Sequence, residues 1–314
     1  MGAGSCANPV TSDPVLAGAS IDQDVQLARY TTVGIGGPAR GFARPESIGE
    51  LQRALAWASE RGLAVVALGL GSNVLVADDG VDALVLRLGG ELASVRVEGE
   101  VLVGGGGAAN AVCLHRARAA GLAGFEFACA IPGTAGGGVR MNAGAYGREW
   151  KDVVEQAVVV DGGGVRRLAK DELDLSYRHS AVGRGQVVAS VQFRLERGQP
   201  QTIKERVADL QQQRKATQPT NKRTFGSVFK NPDHELGAGR MLEACGLKGQ
   251  RAGGAQISPR HANFIENTGG ATAVDALALM AEARRRALES FGVALQREVE
   301  LLGDLELPPA GETL

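Results

Sequence analysis

Apolar positions along this chain fall into short runs separated by glycine-rich turns, and their spacing alternates between helical and extended. Ser47 followed by Glu50 is a helix-capping signature. Beyond it Ile48, Leu51, Leu55 and Ala58 recur on one helical face, and Gly62 closes the helix. Residues 63–68 are an almost unbroken apolar run and predict a buried strand; 74–77 and 83–88 predict two further short strands. Alternation over 95–103 about the Glu98-Gly99-Glu100 turn predicts a hairpin, followed by a helix over 108–120 that stops at Gly121. Strands are expected at 153–161, 165–168 and 187–195, the first two joined through Gly162-Gly163-Gly164.

Further on, 202–216 is charged and helical, 218–223 is a loop, and 236–245 is a helix closed by Gly246. Residues 262–266 predict a short strand. Thr272 with Asp275 caps a long helix whose expected core positions are Val274, Leu277, Leu288 and Phe291, and 293–302 alternates as a last strand. The pattern divides the chain into an α+β unit at 21–88, a second at 89–198 and a third at 199–303, between tails at 1–20 and 304–314.

Composition narrows the class. Apolar residues are 44%, charged residues 22% and the net charge is -1, so neither a nucleic acid nor a membrane is the expected main partner. No run is long enough to span a bilayer, and the start lacks the basic-then-apolar order of a signal peptide, so a cytoplasmic protein is expected. The four cysteines (Cys6, Cys113, Cys129, Cys245) and four histidines lack metal-ligand spacing, so no metal is expected. Glycine is the outlier at 45 of 314 residues, about twice the ordinary share of roughly 7%. The glycines cluster between apolar runs, where they mark tight turns or close backbone approach to a ligand.

Several segments could carry chemistry. Gly69-Leu70-Gly71-Ser72-Asn73 follows a strand and presents consecutive amides, as an anion nest or simply as a tight turn. Gly104 to Ala109 fits G-x-G-x-x-A with Glu126 near the acidic position of a dinucleotide fold; a plain helix-entry loop is the competing reading. From Ile131 to Gly147 there is little room for side chains, which suits a flat cofactor or a pyrophosphate, or a loop packed on another backbone. Arg178, in Ser176-Tyr177-Arg178-His179-Ser180, could fork onto a carboxylate or lie on the surface. Phe225 to Pro232 reads as extended, with Ser227 on the face of Phe225 and Phe229 and Lys230 on the other. Arg214, Lys215, Lys222, Arg223 and Lys230 form a basic cluster suited to a diphosphate, or a solvated face. Glu298 falls on the polar face of the last strand, where pattern alone points it to solvent.

The order and spacing of these segments resemble the UDP-N-acetylenolpyruvoylglucosamine reductase family. The matching pieces are Tyr30 to Gly37, Gly69 to Asn73, Ile131 to Gly147, Tyr177-Arg178, Gly226 to Pro232, His261 to Ile265 and Glu298-Val299, covering about 25–303. The resemblance implies an α+β FAD-binding fold of the vanillyl-alcohol-oxidase type, two subdomains cradling FAD and a third domain for substrate. It implies NADPH as hydride donor to non-covalent FAD, since no histidine matches a covalent attachment site. It also sets the dinucleotide reading of 104–109 aside.

By the same resemblance, Ser227 matches a proton donor, and Arg178 and Glu298 match the residues that polarise the substrate carboxylate and stabilise an enolate. The cofactor-binding positions implied are Gly69, Gly71, Ser72, Asn73, Pro132, Gly133, Gly136, Gly137, Asn142 and Ala145. Tyr177, Lys230, Asn231, Asn263 and Arg214 are implied for the sugar-nucleotide substrate. The interval from Arg178 to Ser227 is short, as in the subtype without a tyrosine-bearing lid, and Arg223-Thr224-Phe225 stands where the family commonly has small residues. Another FAD oxidase or dehydrogenase of the superfamily, or a non-catalytic nucleotide-binding protein, are the competing functions.

Overall fold

A computed structural model describes residues 20–310; the expected N-terminal tail, apart from Ser20, lies outside the described residues, as do 311–314. Helix α1, Ile48–Glu60, starts where Ser47 accepts a hydrogen bond from the Glu50 amide, and Gly62 follows it in the left-handed region. Its face of Leu51, Ala54, Leu55 and Ala58 is buried, whereas Ile48, in the open first turn, is 37% exposed and does not join the core as expected. The strand Val81–Leu86 lies between Pro38–Ala43 and Ala64–Ala67 and runs parallel to both. Ala64–Ala67 is therefore an edge strand. It is not buried as its apolar sequence predicts: its side chains line an open cavity.

The second sheet is antiparallel throughout, in the order Gly164–Ala169, Val154–Asp161, Val187–Arg194, Val101–Gly105, Val95–Glu98. Its core gathers Phe125, Phe127, Trp150 and Phe193 in tilted and edge-to-face contacts, 4.9 Å between the ring centres of Phe125 and Phe193. The antiparallel setting of Val101–Gly105 excludes a parallel dinucleotide-binding unit at 104–109. The glycines there have another cause: a Cβ on Gly106 would meet the Val188 carbonyl oxygen at 1.7 Å. Glu126 accepts from the Gly124 amide at 2.8 Å. Helix α2, Asn110–Ala119, follows this loop.

The third sheet runs Thr224–Ser227, Phe264–Asn267, Ala255–Ile257, Arg251–Ala252, all antiparallel, covered by α5 (Ala238–Ala244) and α6 (Ala273–Phe291). The hairpin 251–257 was not legible in the periodicity. Helix α6 packs through Ala276, Leu277, Met280, Ala283 and Ala287, so Val274 falls off that face and is 63% exposed. A pattern of large apolar residues alone places it inside; close packing through alanines reverses that. Helix α4, Pro200–Thr217, buries Val207 in the core of the second sheet rather than the third.

Two features tie the sheets together. The expected strand over 293–302 is regular only at Glu300–Leu302, which turns back to pair in parallel with Val74–Val76. The segment after it, expected to be a tail, packs Leu305 and Leu307 on the third core. The α6 N-terminus is doubly held: Thr272 and Asp275 form a reciprocal capping box, and the Asp78 carboxylate accepts from the Ala273 amide at 2.8 Å. Replacing Thr272 by Ala should cost about 1 kcal/mol, read as a lower urea midpoint with unchanged slope; an unchanged midpoint would mean that Asp78 alone suffices to cap α6.

Candidate active site

A cavity of about 1310 Å³ runs between the three sheets. One wall is the apolar strand Ala64–Ala67 with Leu63 and Leu68. The next is the turn at 69–73, where Gly71 is left-handed and a Cβ would lie 2.1 Å from the Tyr30 carbonyl oxygen. Among the described residues, no protein acceptor engages the amides of Gly69, Leu70, Gly71, Ser72, Asn73, Gly133 or Thr134. They are a concentrated set of unpaired donors at one cavity wall. Ser72 clips the two loops together, donating to the Pro132 carbonyl at 2.6 Å.

The stretch expected to be loop, 131–147, contains α3, Ala135–Arg140, with Thr134 as its cap. Its glycines divide by purpose. Gly136 lies 2.9 Å, measured from its would-be Cβ, from the Gly106 carbonyl oxygen, and Gly138 would collide with Trp150 at 2.4 Å, so both are packing glycines. Gly137 is open on the cavity side. The amides of Gly136 and Gly137 are spent on Gly106 and Thr134, so these two residues offer the cavity lack of bulk and not donors. Pro132, Gly133 and Ala145 also line it.

At the far end Ser227, Arg178 and Glu298 line the same cavity. The expected alternation of Phe225 to Pro232 fails: the strand Thr224–Ser227 shifts register between Thr224 and Ser227, with Gly226 left-handed at φ 82°. This bulge sends Phe225, Val228 and Phe229 into the core and re-aims Ser227 at the cavity. The Ser227 hydroxyl has no protein hydrogen-bond partner among the described residues. Glu298 lies beside it across a backbone pairing, its amide donating to the Val228 carbonyl at 2.8 Å. Glu298 is not turned to solvent as pattern suggests: its side chain is 15% exposed and accepts from Arg178 Nε at 2.7 Å. Burial pushes the Glu298 carboxyl up, and Arg178 and then Lys230 pull it partly back.

Arg178 is the third residue of a tight turn closed by mutual hydrogen bonds of Ser176 and His179, and it is left-handed at φ 54°. That position favours glycine or asparagine, so an arginine there is held against its preference. Its guanidinium lies 4.9 Å over the Tyr177 ring and reaches the Gly144 carbonyl. The Tyr177 hydroxyl accepts from the Asn231 amide at 3.1 Å, while Asn231 Oδ1 accepts from the Ala238 amide at the start of α5. Lys230 opens on a smaller cavity of about 510 Å³ that shares Arg178 and Glu298. Arg214 reaches the main cavity from α4; among the described residues its guanidinium donates to neutral acceptors, Gln218 Oε1 at 3.3 Å and the Cys129 carbonyl at 3.4 Å.

Two residues expected at the site have their side chains engaged within the protein. Asn142 is fully buried, gives its amide hydrogens to Glu149 and the Ser176 carbonyl, and accepts from the Lys151 amide. Asn263 is 4% exposed and grips the Phe229 backbone at both ends, at 2.9 and 2.8 Å. These hydrogen bonds hold a site segment in place, and neither residue is in the lining of either cavity. Sequence reading missed Arg297 and Phe264, which also line the main cavity, because an arginine and a strand phenylalanine have ordinary structural uses.

A family model described as UDP-N-acetylenolpyruvoylglucosamine reductase, C-terminal domain, matches residues 218–302, and one described as FAD binding domain matches 39–169. A UDP-N-acetylenolpyruvoylglucosamine reductase 2 of Symbiobacterium thermophilum is 44% identical over 88% of this chain and 90% of its own length. One from Rubrobacter xylanophilus is 44% identical over 90% and 95%. The chain belongs to the UDP-N-acetylenolpyruvoylglucosamine reductase family. The crystal structure of the family member from Thermus caldophilus superposes with a TM-score of 0.80 at 36% identity, over 90% of this chain and 99% of that one. The residues present suit the FAD of this family: unpaired amides for a pyrophosphate, glycines for close approach, and an apolar strand left uncovered for a flat ring.

The raised Glu298 carboxyl carries a sign for stability in this reductase. The folded protein holds that proton more tightly than the unfolded chain does. The contribution is therefore full below the ordinary glutamate range and is lost as pH rises through the raised value. The unfolding free energy of the parent minus that of Glu298→Gln should fall as pH rises from the ordinary glutamate range. A difference that grows over that rise would show that Arg178 outweighs burial.

Proposed function

We propose that Ser227, Arg178 and Glu298 carry out the reduction of the enolpyruvyl group of UDP-N-acetylglucosamine enolpyruvate to UDP-N-acetylmuramate. The activity is that of an FAD-dependent oxidoreductase with NADPH as hydride donor, making a peptidoglycan precursor. The observation that carries the assignment of roles is one continuous cavity joining the unpaired amides of 69–73 and 133–134 to Ser227, Arg178 and Glu298. The amides of 69–73 and 133–134 would hold FAD, which would supply the redox chemistry between NADPH and C3 of the enolpyruvyl group.

The chain's own residues handle charge and the proton. Arg178 is the cation for the substrate carboxylate, where negative charge grows as the double bond is reduced. Its backbone turn, the Tyr177 ring and Glu298 fix it before substrate arrives, so little reorganisation is needed. Glu298, paired with Arg178 Nε and lining the same cavity, is directed at the same end of the substrate. Ser227, with its hydroxyl uncommitted to the protein, holds the proton destined for C2. Lys230, Tyr177, Asn231 and Arg214 hold the sugar nucleotide, cations opposite the diphosphate. On this reading the enzyme works in the cytoplasm, its product supports cell shape and division, and no tyrosine lid closes the site. No helix of the described residues is long and apolar enough to cross a membrane.

Stopped-flow half-reactions test these roles. The purified yellow protein should bleach with NADPH and recover its colour with the enolpyruvyl sugar nucleotide; failure of that recovery sinks the assignment. Ser227→Ala should bleach normally but re-oxidise roughly 10²–10⁴-fold more slowly; equal damage to both halves would refute proton delivery by Ser227. Arg178→Lys should also slow re-oxidation, because an ammonium cannot reproduce the planar fork, and near-parental turnover would argue against a bidentate contact.

A further inference from the structure

Asn110 is the first residue of α2 and lies in the wall of the main cavity, 1% exposed. Its side-chain nitrogen donates to the Ile131 carbonyl at 3.0 Å. That contact fixes which way round the amide sits, because a carbonyl accepts only from the NH₂ side. The other end, Oδ1, is buried without a hydrogen-bond partner. An orphaned buried acceptor is costly and rare in a native interior.

The surroundings say what kind of group is missing. A Cβ on Gly133 would lie 3.5 Å from Asn110 Nδ2 and 3.6 Å from Ser72 Oγ, so Asn110 stands in the cradle formed by the two glycine loops. The nearby carbonyls of Ile131 and Pro132 are already engaged, by Asn110 and Ser72. The amides of 69–73, Gly133 and Thr134 call for an acceptor-only partner such as a diphosphate, whereas Asn110 Oδ1 calls for a donor. A ligand serving both must carry phosphate oxygens and, close by, an N–H or O–H.

We propose that Asn110 is a further cofactor-contacting residue, its Oδ1 accepting a hydrogen bond from an N–H or O–H group of bound FAD. This rests on the reading of the cavity as an FAD site. The donor could belong to the ribityl–flavin half or to the adenosine half of the cofactor, and the two can be separated with fragments.

Full-length protein stripped of flavin is titrated with FAD, riboflavin and ADP, by flavin fluorescence and calorimetry, for the parent, Asn110→Ala and Asn110→Ser. Asn110→Ser keeps a small polar group on the wall and provides a second folded background. Parent protein that fails to bind FAD would overturn the cofactor reading itself. If the parent binds, Asn110→Ala should weaken FAD by about tenfold, the size of one buried hydrogen bond. It should also weaken riboflavin or ADP, but not both, which names the donor. Unchanged FAD affinity would overturn the inference and leave a trapped water as the partner of Oδ1. Equal weakening of both fragments would overturn it as well, because release of the Ile131 carbonyl would then have deformed the cradle.

Discussion

The ion pair between Arg178 and Glu298 is the contact on which the arrangement of the site depends. It joins residues 120 positions apart, one on a turn of the second sheet's unit and one on the chain's return from the third. Both side chains are largely withdrawn from water, at 16% and 15% exposure. Desolvating two charges is expensive, and a pair of this kind seldom stabilises a fold more than an apolar pair of equal size would. Its value lies elsewhere. A guanidinium already desolvated, stacked on Tyr177 and held by a strained backbone turn can meet a carboxylate without first shedding water or searching rotamers.

The glycine-rich loops solve a different problem. A pyrophosphate needs many donors in a small space, and only backbone amides supply that density without bulk. Freeing those amides from the protein requires turns whose hydrogen bonds go elsewhere. Ser72 and Asn110 provide this by binding the Pro132 and Ile131 carbonyls from the side, leaving the loop N–H groups open. The remaining glycines serve packing, Gly106 against the Val188 carbonyl and Gly138 against Trp150. Glycine count alone cannot separate these uses, because both demand the absence of a Cβ.

Much of the fold was legible in the sequence. Capping residues fixed the starts of α1 and α6, and period-two runs located the central strands of the second sheet. What was illegible depends on partners distant in the chain. The apolar run at 63–68 predicts burial and is instead half-open, because it forms an edge of its sheet and a wall of the cavity. Ser227 reads as a serine between two core aromatics; only the bulge at Gly226 shows that it leaves their face. Glu298 reads as a surface carboxylate because nothing near it in sequence is its partner. Asn142 and Asn263 belong to motifs of the site, yet motif membership does not distinguish touching a ligand from holding the segment that does.

The two ends of the cavity are also not independent of one another. Asn73, inside the amide-rich turn, donates from its side chain to the Glu298 carbonyl at 3.2 Å and accepts from the Glu300 amide at 3.0 Å. The strand that follows the turn pairs with Glu300–Leu302 over its whole length. The backbone that positions Glu298 is therefore built on the same loop whose amides are left unpaired at the cavity wall. The loop, the Glu298 carboxylate and the Arg178 guanidinium are thus linked through consecutive hydrogen bonds. The return of the chain to Val74–Val76, which looks in sequence like the tail of one long strand, is what places the acid and the cradle in a single rigid frame.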